Sequence, residues 1–166
     1  MISVLLVAPM TNLEAVDSEV ESIVNLTGLL GVRLVRRPCA AHDVMAAIDR
    51  YRRFDAMHIA AHGGHDGVHL DDGLWPVSSV VQAVAMCHSK LLYLSTCDSV
   101  AVAKHVAEMT NCDCVATLAE QADKRAAELA TNFWRTVANE VQHPPTAYLR
   151  TARHDNNTIY VSSLLG

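Results

Sequence analysis

"FDAMHIAAHGGHDGVHLDDG" (residues 54–73) and "KLLYLSTCDS" (residues 90–99) are the two stretches that decide the fold of this 166-residue chain. Each begins with a short apolar run and ends in a reactive side chain, His62 in the first and Cys97 in the second. A short apolar run followed by turn residues is typical of a buried parallel strand. Functional groups in open α/β sheets lie beyond the carboxyl ends of such strands. The two stretches therefore predict an imidazole and a thiol at one edge of one sheet.

Outward from these stretches, apolar runs alternate with segments of helical periodicity. Strands are predicted at residues 2–8, 32–37, 56–61, 90–96, 112–118 and 157–165, and helices at 10–30, 40–54, 77–86, 100–109, 120–141 and 144–154. Gly31 is predicted to close the first helix as its C′ glycine. This alternation predicts an α/β fold, a three-layer α/β/α sandwich around a mainly parallel sheet of about six strands.

Glycines are concentrated beside His62, since four of the seven in the chain fall between Gly63 and Gly73. Such a cluster indicates unusual backbone angles or a close approach of two backbones. "GVHLDDGLWPV" (67–77) is predicted to be a hairpin with Asp72-Gly73 as its turn. His58, in the middle of its apolar run, is interpreted as a satisfied histidine of the sheet.

The composition is that of a folded globular protein, with 51% hydrophobic and 19% charged residues. The net charge of -5 and the scattered basic residues argue against a nucleic-acid surface. No apolar run is long enough for a membrane span, and "MISVLLVAPM" (1–10) is predicted to be a strand, not a signal peptide. Five cysteines without scaffold-like spacing predict free thiols in the cytoplasm. We expect a single domain over residues 1–166.

Cys97 lies where a strand ends and a helix is about to begin, so the positive end of the helix favours its thiolate form. The alternative is a buried and inert cysteine, which is common in proteins. The backbone N–H groups of Gly63 and Cys97 are candidates to stabilise an oxyanion. Ser99 is predicted to cap the helix that follows Cys97, and the Asp71–Asp72 pair is attributed to the hairpin turn.

A zinc site is the competing interpretation of the same region. His62, His65, His69 and Cys97 together offer ligands of the kinds that zinc prefers. The H-x2-H-x3-H spacing is not a strong metal signature, and no tight Cys-x2-Cys pair accompanies it. We therefore predict no metal and no cofactor.

Three motifs carry a family resemblance: "HIAAHGG" (58–64), "GVHLDDG" (67–73) and "LLYLSTCDS" (91–99). With them the chain resembles the CHAT family of caspase-like cysteine peptidases, in the wider caspase–separase–gingipain group. The resemblance extends over nearly the whole chain and implies a caspase-like sandwich. It also implies a catalytic dyad of His62 and Cys97, with the backbone of Gly63 and Cys97 as the oxyanion donors. Apart from the resemblance, Gly64, Asp66, Ser95 and Asp98 are the predicted substrate-binding positions. The alternatives are that Asp66 only solvates its loop and that Asp98 caps the helix that follows.

The activity implied by the resemblance is cleavage of peptide bonds in protein or peptide substrates, in a signalling, defence or cell-death pathway. Some relatives that cleave after basic residues carry an aspartate two positions before the cysteine; Ser95 stands there, so we assume no basic preference. The alternative is a catalytically inactive caspase-like interaction module. A separate regulatory chain is an expected partner, and the closing strand, near the sheet edge, can pair two copies as a homodimer. Nucleic acid and membranes are not expected partners.

Overall fold

The computed structural model describes residues 1–9, 14–26, 28–118, 123–140, 147–148, 151, 155 and 157–163. The strands are β1 (Ile2–Val7), β2 (Leu30–Val35), β3 (Ala56–Ala60), β4 (Gly63–Gly64), β5 (Gly67–Leu70), β6 (Gly73–Pro76), β7 (Leu91–Ser95), β8 (Asp113–Thr117) and β9 (Thr158–Val161). The helices are α1 (Glu14–Val24), α2 (Ala41–Tyr51), α3 (Val77–Cys87), α4 (Val100–Met109) and α5 (Asp123–Glu140).

Six strands form the main sheet in the order β2-β1-β3-β7-β8-β9. The first five are parallel to one another, and β9 runs antiparallel to β8 at the edge. The predicted α/β fold with a mainly parallel sheet of six strands is confirmed. The two stretches that decide the fold become β3 and β7, which are central neighbours and pair Ala60 with Ser95 at their carboxyl ends.

Helices cover both faces of the sheet, so the molecule is a three-layer sandwich. Successive side chains of a strand point to opposite faces. In β3, Met57 and Ile59 pack in the core shared with α2, α3 and α4, whereas Ala56 and Ala60 pack in the core shared with α1 and α5. All five residues of β3 are buried, which explains its unbroken apolar character. Within the described ranges, no helix has the length and apolarity of a membrane span.

Several element boundaries differ from the prediction. Helix α1 ends at Val24, and Gly31 lies inside β2, so Gly31 does not close the helix. Strand β2 begins earlier than predicted because Leu30 and Gly31 pair with the start of β1. Helix α2 stops at Tyr51, where Arg52 adopts a left-handed φ of 65° as its C-cap. The helix predicted at 144–154 falls largely outside the described residues.

A small separate sheet of β4, β5 and β6 follows β3. The predicted hairpin is confirmed as β5 and β6, but the predicted position of its turn, Asp72-Gly73, was wrong by one residue. Leu70 pairs with Gly73, so Asp71 and Asp72 are the two turn residues. Gly73 instead opens β6 with a positive φ of 117°, a conformation that glycine tolerates best.

Candidate active site

His62 and Cys97 lie at equivalent places beyond two neighbouring strands. Ala60 and Ser95 are register partners at the ends of β3 and β7, and each reactive side chain follows its partner by two residues. Both residues line one small pocket of about 40 Å³. The geometry therefore brings the imidazole and the thiol to the same edge of the sheet, as the position of the two stretches predicted.

The pocket lies beyond the carboxyl ends of β3 and β7, on the side of the sheet that α1 and α5 cover. It is lined by Ala15, Val16, Glu19, Ala61, His62, Ser95, Thr96, Cys97, Thr117 and Ala126. The open groove between α4 and β9, in contrast, measures about 400 Å³. The space beside the dyad is therefore about ten times smaller than that groove, and small side chains form much of its wall.

Cys97 differs from the other four cysteines in its exposure. It is partly exposed, whereas Cys39, Cys87, Cys112 and Cys114 are buried and all five thiols are free. Burial, with the Asp71 carboxylate as the next contribution, raises the pKa of Cys39 to about 12. Burial also raises the pKa of Cys87. A hydrogen bond with Cys112, followed by burial, raises the pKa of Cys114. A nucleophile needs access and a thiolate, so Cys97 is the best candidate of the five.

The turn that carries Cys97 is fixed to the end of β8. Asp98 has a left-handed φ of 45°, a conformation that aspartate adopts more readily than most residues. The N–H of Ser99 donates to the Thr117 carbonyl at 2.9 Å, and the N–H of Thr117 donates to Ser99 Oγ at 3.0 Å. Ser99 is the N-cap residue of α4, as predicted, but its hydroxyl accepts from β8 and makes no cap hydrogen bond to the helix.

The glycine-rich segment packs directly against this turn. An ideal Cβ placed on Gly63 would lie 2.8 Å from Thr96 Cβ, closer than real side chains approach. The N–H of His69 donates to the His62 carbonyl at 2.8 Å. Hydrogen-bonded and non-bonded pairs alternate in an antiparallel ladder, so the Gly63–Val68 pair is non-bonded and β5 leaves the Gly63 N–H unused. Gly63 as an oxyanion donor stays a prediction, and the glycine itself is required by the close approach.

The two aspartates of the β5–β6 turn hydrogen-bond the hairpin to residues at the start of α2 and just before it. Asp71 Oδ2 accepts from the N–H of Cys39 at 2.8 Å, and the Asp71 N–H donates to the Cys39 carbonyl at 3.0 Å. Asp72 Oδ1 accepts from the N–H of Ala41, the first residue of α2, at 3.1 Å. A carboxylate at a helix N-terminus satisfies a free N–H group and the helix dipole. The pair therefore clamps the hairpin to α2, a long-range role that the turn pattern did not reveal.

Beneath the site, four polar side chains form a buried network on the α1 and α5 face. Trp134 Nε1–H donates to His58 Nδ1 at 2.8 Å, and His58 Nε2 lies 2.8 Å from Glu19 Oε1. An indole N–H can only donate, so Nδ1 accepts and the His58 proton sits on Nε2, which donates to Glu19. The Ser95 hydroxyl donates to Glu19 Oε2 at 3.0 Å. The interpretation of His58 as a satisfied histidine is confirmed.

Glu19 is the site residue that sequence reasoning missed. Its partners lie 39 and 76 residues away in the sequence, so no local motif links them. One signal was present, because Glu19 falls on the apolar face of α1 that also carries Val16, Val20 and Ile23. A single carboxylate within such a stripe indicates a buried partner.

Among the predicted substrate-binding residues, only Ser95 lines the pocket, and its hydroxyl is engaged by Glu19. Gly64 and Asp66 lie in the neighbouring β4–β5 hairpin, where the Asp66 carbonyl accepts from the N–H of Val77 at 3.1 Å. Asp98 is exposed beside Cys97 and is not part of the lining.

Comparisons with known proteins do not assign a function to the chain, so the function is inferred from the site itself. No family model matches the chain, and no curated protein matches it. In the described part of the chain, no three His, Cys, Asp or Glu side chains are grouped as a metal site would require, and the proposed zinc ligands are within that part. The arrangement offers one accessible thiol, one imidazole, a nearby backbone N–H that does not bond to β5, and a small pocket. These groups are suited to nucleophilic acyl transfer.

Proposed function

We propose that the chain is a caspase-like cysteine endopeptidase, related to the CHAT group, with His62 and Cys97 as its catalytic dyad. The observation that carries the proposal is the placement of a partly exposed thiol and an imidazole beyond paired residues of β3 and β7, around one pocket. Parallel-sheet enzymes build their sites at this edge. The burial of the other four cysteines supports Cys97 as the nucleophile.

The reaction follows from these groups. His62 takes the thiol proton, and Cys97 Sγ attacks the carbonyl carbon of the scissile peptide, forming a C–S bond. The N–H groups of Gly63 and Cys97 stabilise the resulting oxyanion. His62 then gives its proton to the leaving nitrogen as the C–N bond breaks. Water hydrolyses the thioester, releasing the carboxylic acid product and restoring the thiol.

The surroundings of the dyad supply the remaining roles. The β4–β5 hairpin with Gly64 and Asp66 adjoins the Cys97 turn through Gly63, so it is suited to bind the backbone of a protein or peptide substrate. Asp98 is exposed next to the nucleophile and can contact the substrate on the other side. The proposed setting is a cytoplasmic signalling, defence or cell-death pathway, with a separate chain as regulator.

The test is cleavage of a mixed peptide library by the wild-type chain, by Cys97→Ala and by His62→Ala. We expect Cys97→Ala to abolish cleavage and His62→Ala to lower its rate by about 100-fold or more, the usual contribution of general acid–base catalysis. His65→Ala is the matched control, because it removes another exposed histidine three residues away and is expected to keep full activity. Unchanged cleavage by Cys97→Ala would contradict the proposal and favour an inactive interaction module.

A further inference from the structure

We propose that the pocket beside Cys97 receives the side chain of P1, the substrate residue whose carbonyl is attacked, and that it selects glycine, alanine or serine. This inference rests on the proposed function. The P1 side chain is carried by the Cα atom that is bonded to the attacked carbonyl carbon. It must therefore enter a space next to Cys97 Sγ. The pocket lined by both Cys97 and His62 is that space.

The size of the pocket is the first reason for a small P1 residue. Its volume is about 40 Å³, one-tenth of the volume of about 400 Å³ of the groove between α4 and β9. The methyl groups of Ala15, Ala61 and Ala126 and the side chain of Val16 are part of its wall. A methyl or hydroxymethyl group fits such a space, whereas a branched or long side chain requires the wall to move.

The charge of the pocket is the second reason. Among the described residues of the lining, Glu19 carries the carboxylate that a basic P1 residue would need. Glu19 is only 2% exposed, and its two oxygens already accept from His58 and Ser95. A lysine or arginine would have to displace one of these buried hydrogen bonds. No Lys or Arg is among the described residues of the lining, so an acidic P1 residue would find no cationic partner in that part of the wall.

Val16 is part of the pocket wall and provides a test with an internal control. Val16 and Val20 lie on the same face of α1 and are 7% and 6% exposed. Only Val16 lines the pocket. Each Val→Ala change removes two methyl groups from the same core, so the two variants lose similar stability. The difference between them isolates the effect of the pocket.

The experiment measures kcat/KM on fluorogenic peptide libraries that differ only at P1: Gly, Ala, Ser, Val, Leu, Lys, Arg or Asp. We expect the wild type to cleave after the first three at least about 100-fold faster than after the others, since each misfitting group in a tight pocket costs about 10-fold or more. Val16→Ala is expected to raise the Val/Ala ratio by about 10-fold or more, and Val20→Ala is expected to leave it unchanged.

The outcomes separate this inference from the proposed function. Preferred cleavage after Lys, Arg, Asp or Leu, or a Val16→Ala variant with the same Val/Ala ratio as Val20→Ala, overturns the pocket assignment while the peptidase activity stands. Cleavage of every library that persists in Cys97→Ala overturns the proposed function and this inference with it.

Discussion

Two of the four histidines in the stretch 54–73, His58 and His62, differ in burial and in hydrogen bonding. His58 is 0% exposed, and both of its ring nitrogens are hydrogen-bonded, to Trp134 and to Glu19. His62, four residues later, is exposed, and within the described residues its side chain makes no hydrogen bond. Buried polar groups must be satisfied by the protein, whereas groups at the carboxyl edge can remain open to a ligand. We therefore expect His62 to take part in catalysis and His58 to stabilise the fold.

The largest effect is expected from opening the network around His58. Glu19→Ala leaves the His58 Nε2–H and the Ser95 hydroxyl buried without an acceptor, which we expect to lower the free energy of unfolding by about 3 kcal/mol. Glu19→Gln keeps an acceptor for His58 and can donate to Ser95, so its loss should be about 1 kcal/mol. Urea denaturation measures both. Equal losses in the two variants would show that the hydrogen bonds of Glu19 do not hold this network.

The next effect concerns the contact between the glycine segment and the Cys97 turn. Gly63→Ala puts a Cβ 2.8 Å from Thr96 Cβ and 3.3 Å from the Gly67 carbonyl oxygen. We expect a loss of about 2 kcal/mol in stability and a lower kcat/KM, because the turn must shift.

Gly64→Ala is the control for that variant, since its Cβ would meet only Asp66 Oδ1 at 3.4 Å. Its stability is expected to stay within about 0.5 kcal/mol of the wild type. Thermal unfolding of both variants checks the pair, and a Gly63→Ala chain as stable as Gly64→Ala would contradict the close packing of Gly63 against Thr96.

A smaller effect is expected where Asp72 holds the β5–β6 hairpin to the start of α2. Asp72→Ala removes the carboxylate that accepts from the Ala41 N–H and should cost about 1 kcal/mol, as the loss of a helix cap does. Asp49→Ala removes an exposed carboxylate from the same helix, where it pairs with Arg52 at the surface, and should cost about 0.5 kcal/mol or less. Similar unfolding midpoints for the two variants would contradict the clamp.

How far the sequence predicts this molecule depends on how local each signal is. The strands β3 and β7 were predictable because burial on both faces demands an unbroken apolar run. The state of His58 was predictable for the same reason, but its partner Glu19 was not, since α1 and β3 meet only after packing.

Polar residues near element ends show the same limit. Ser99 has the sequence context of a helix cap, yet β8 competes for its hydroxyl through Thr117. Asp72 has the context of a turn, yet its carboxylate reaches Ala41, which lies 31 residues away in the sequence. In both cases the residue type indicates a hydrogen bond, and only the tertiary arrangement decides the partner.

The smallest effect is expected at the amino end of β3. The Ser3 backbone N–H, and more weakly the Ser3 hydroxyl, lower the pKa of Asp55. A carboxylate with a lowered pKa in the folded state adds stability above its unfolded pKa, and this stability is lost as the pH falls through the folded pKa. Ser3→Ala keeps the N–H and removes the hydroxyl, so we expect the pKa of Asp55 to rise part of the way, as followed by NMR titration. An unchanged Asp55 titration would exclude the hydroxyl contribution.

The central claim is that His62 acts on Cys97, and the most direct measurement is the alkylation rate of Cys97 by iodoacetamide near pH 7, followed by peptide mass mapping. The thiolate is the reacting form, so a paired imidazole that takes the thiol proton accelerates the reaction. We predict that His62→Ala slows alkylation of Cys97 by about 10-fold or more, while His65→Ala leaves the rate unchanged and the four buried cysteines react slowly in all three proteins. Equal rates in the wild type and in His62→Ala would contradict the dyad.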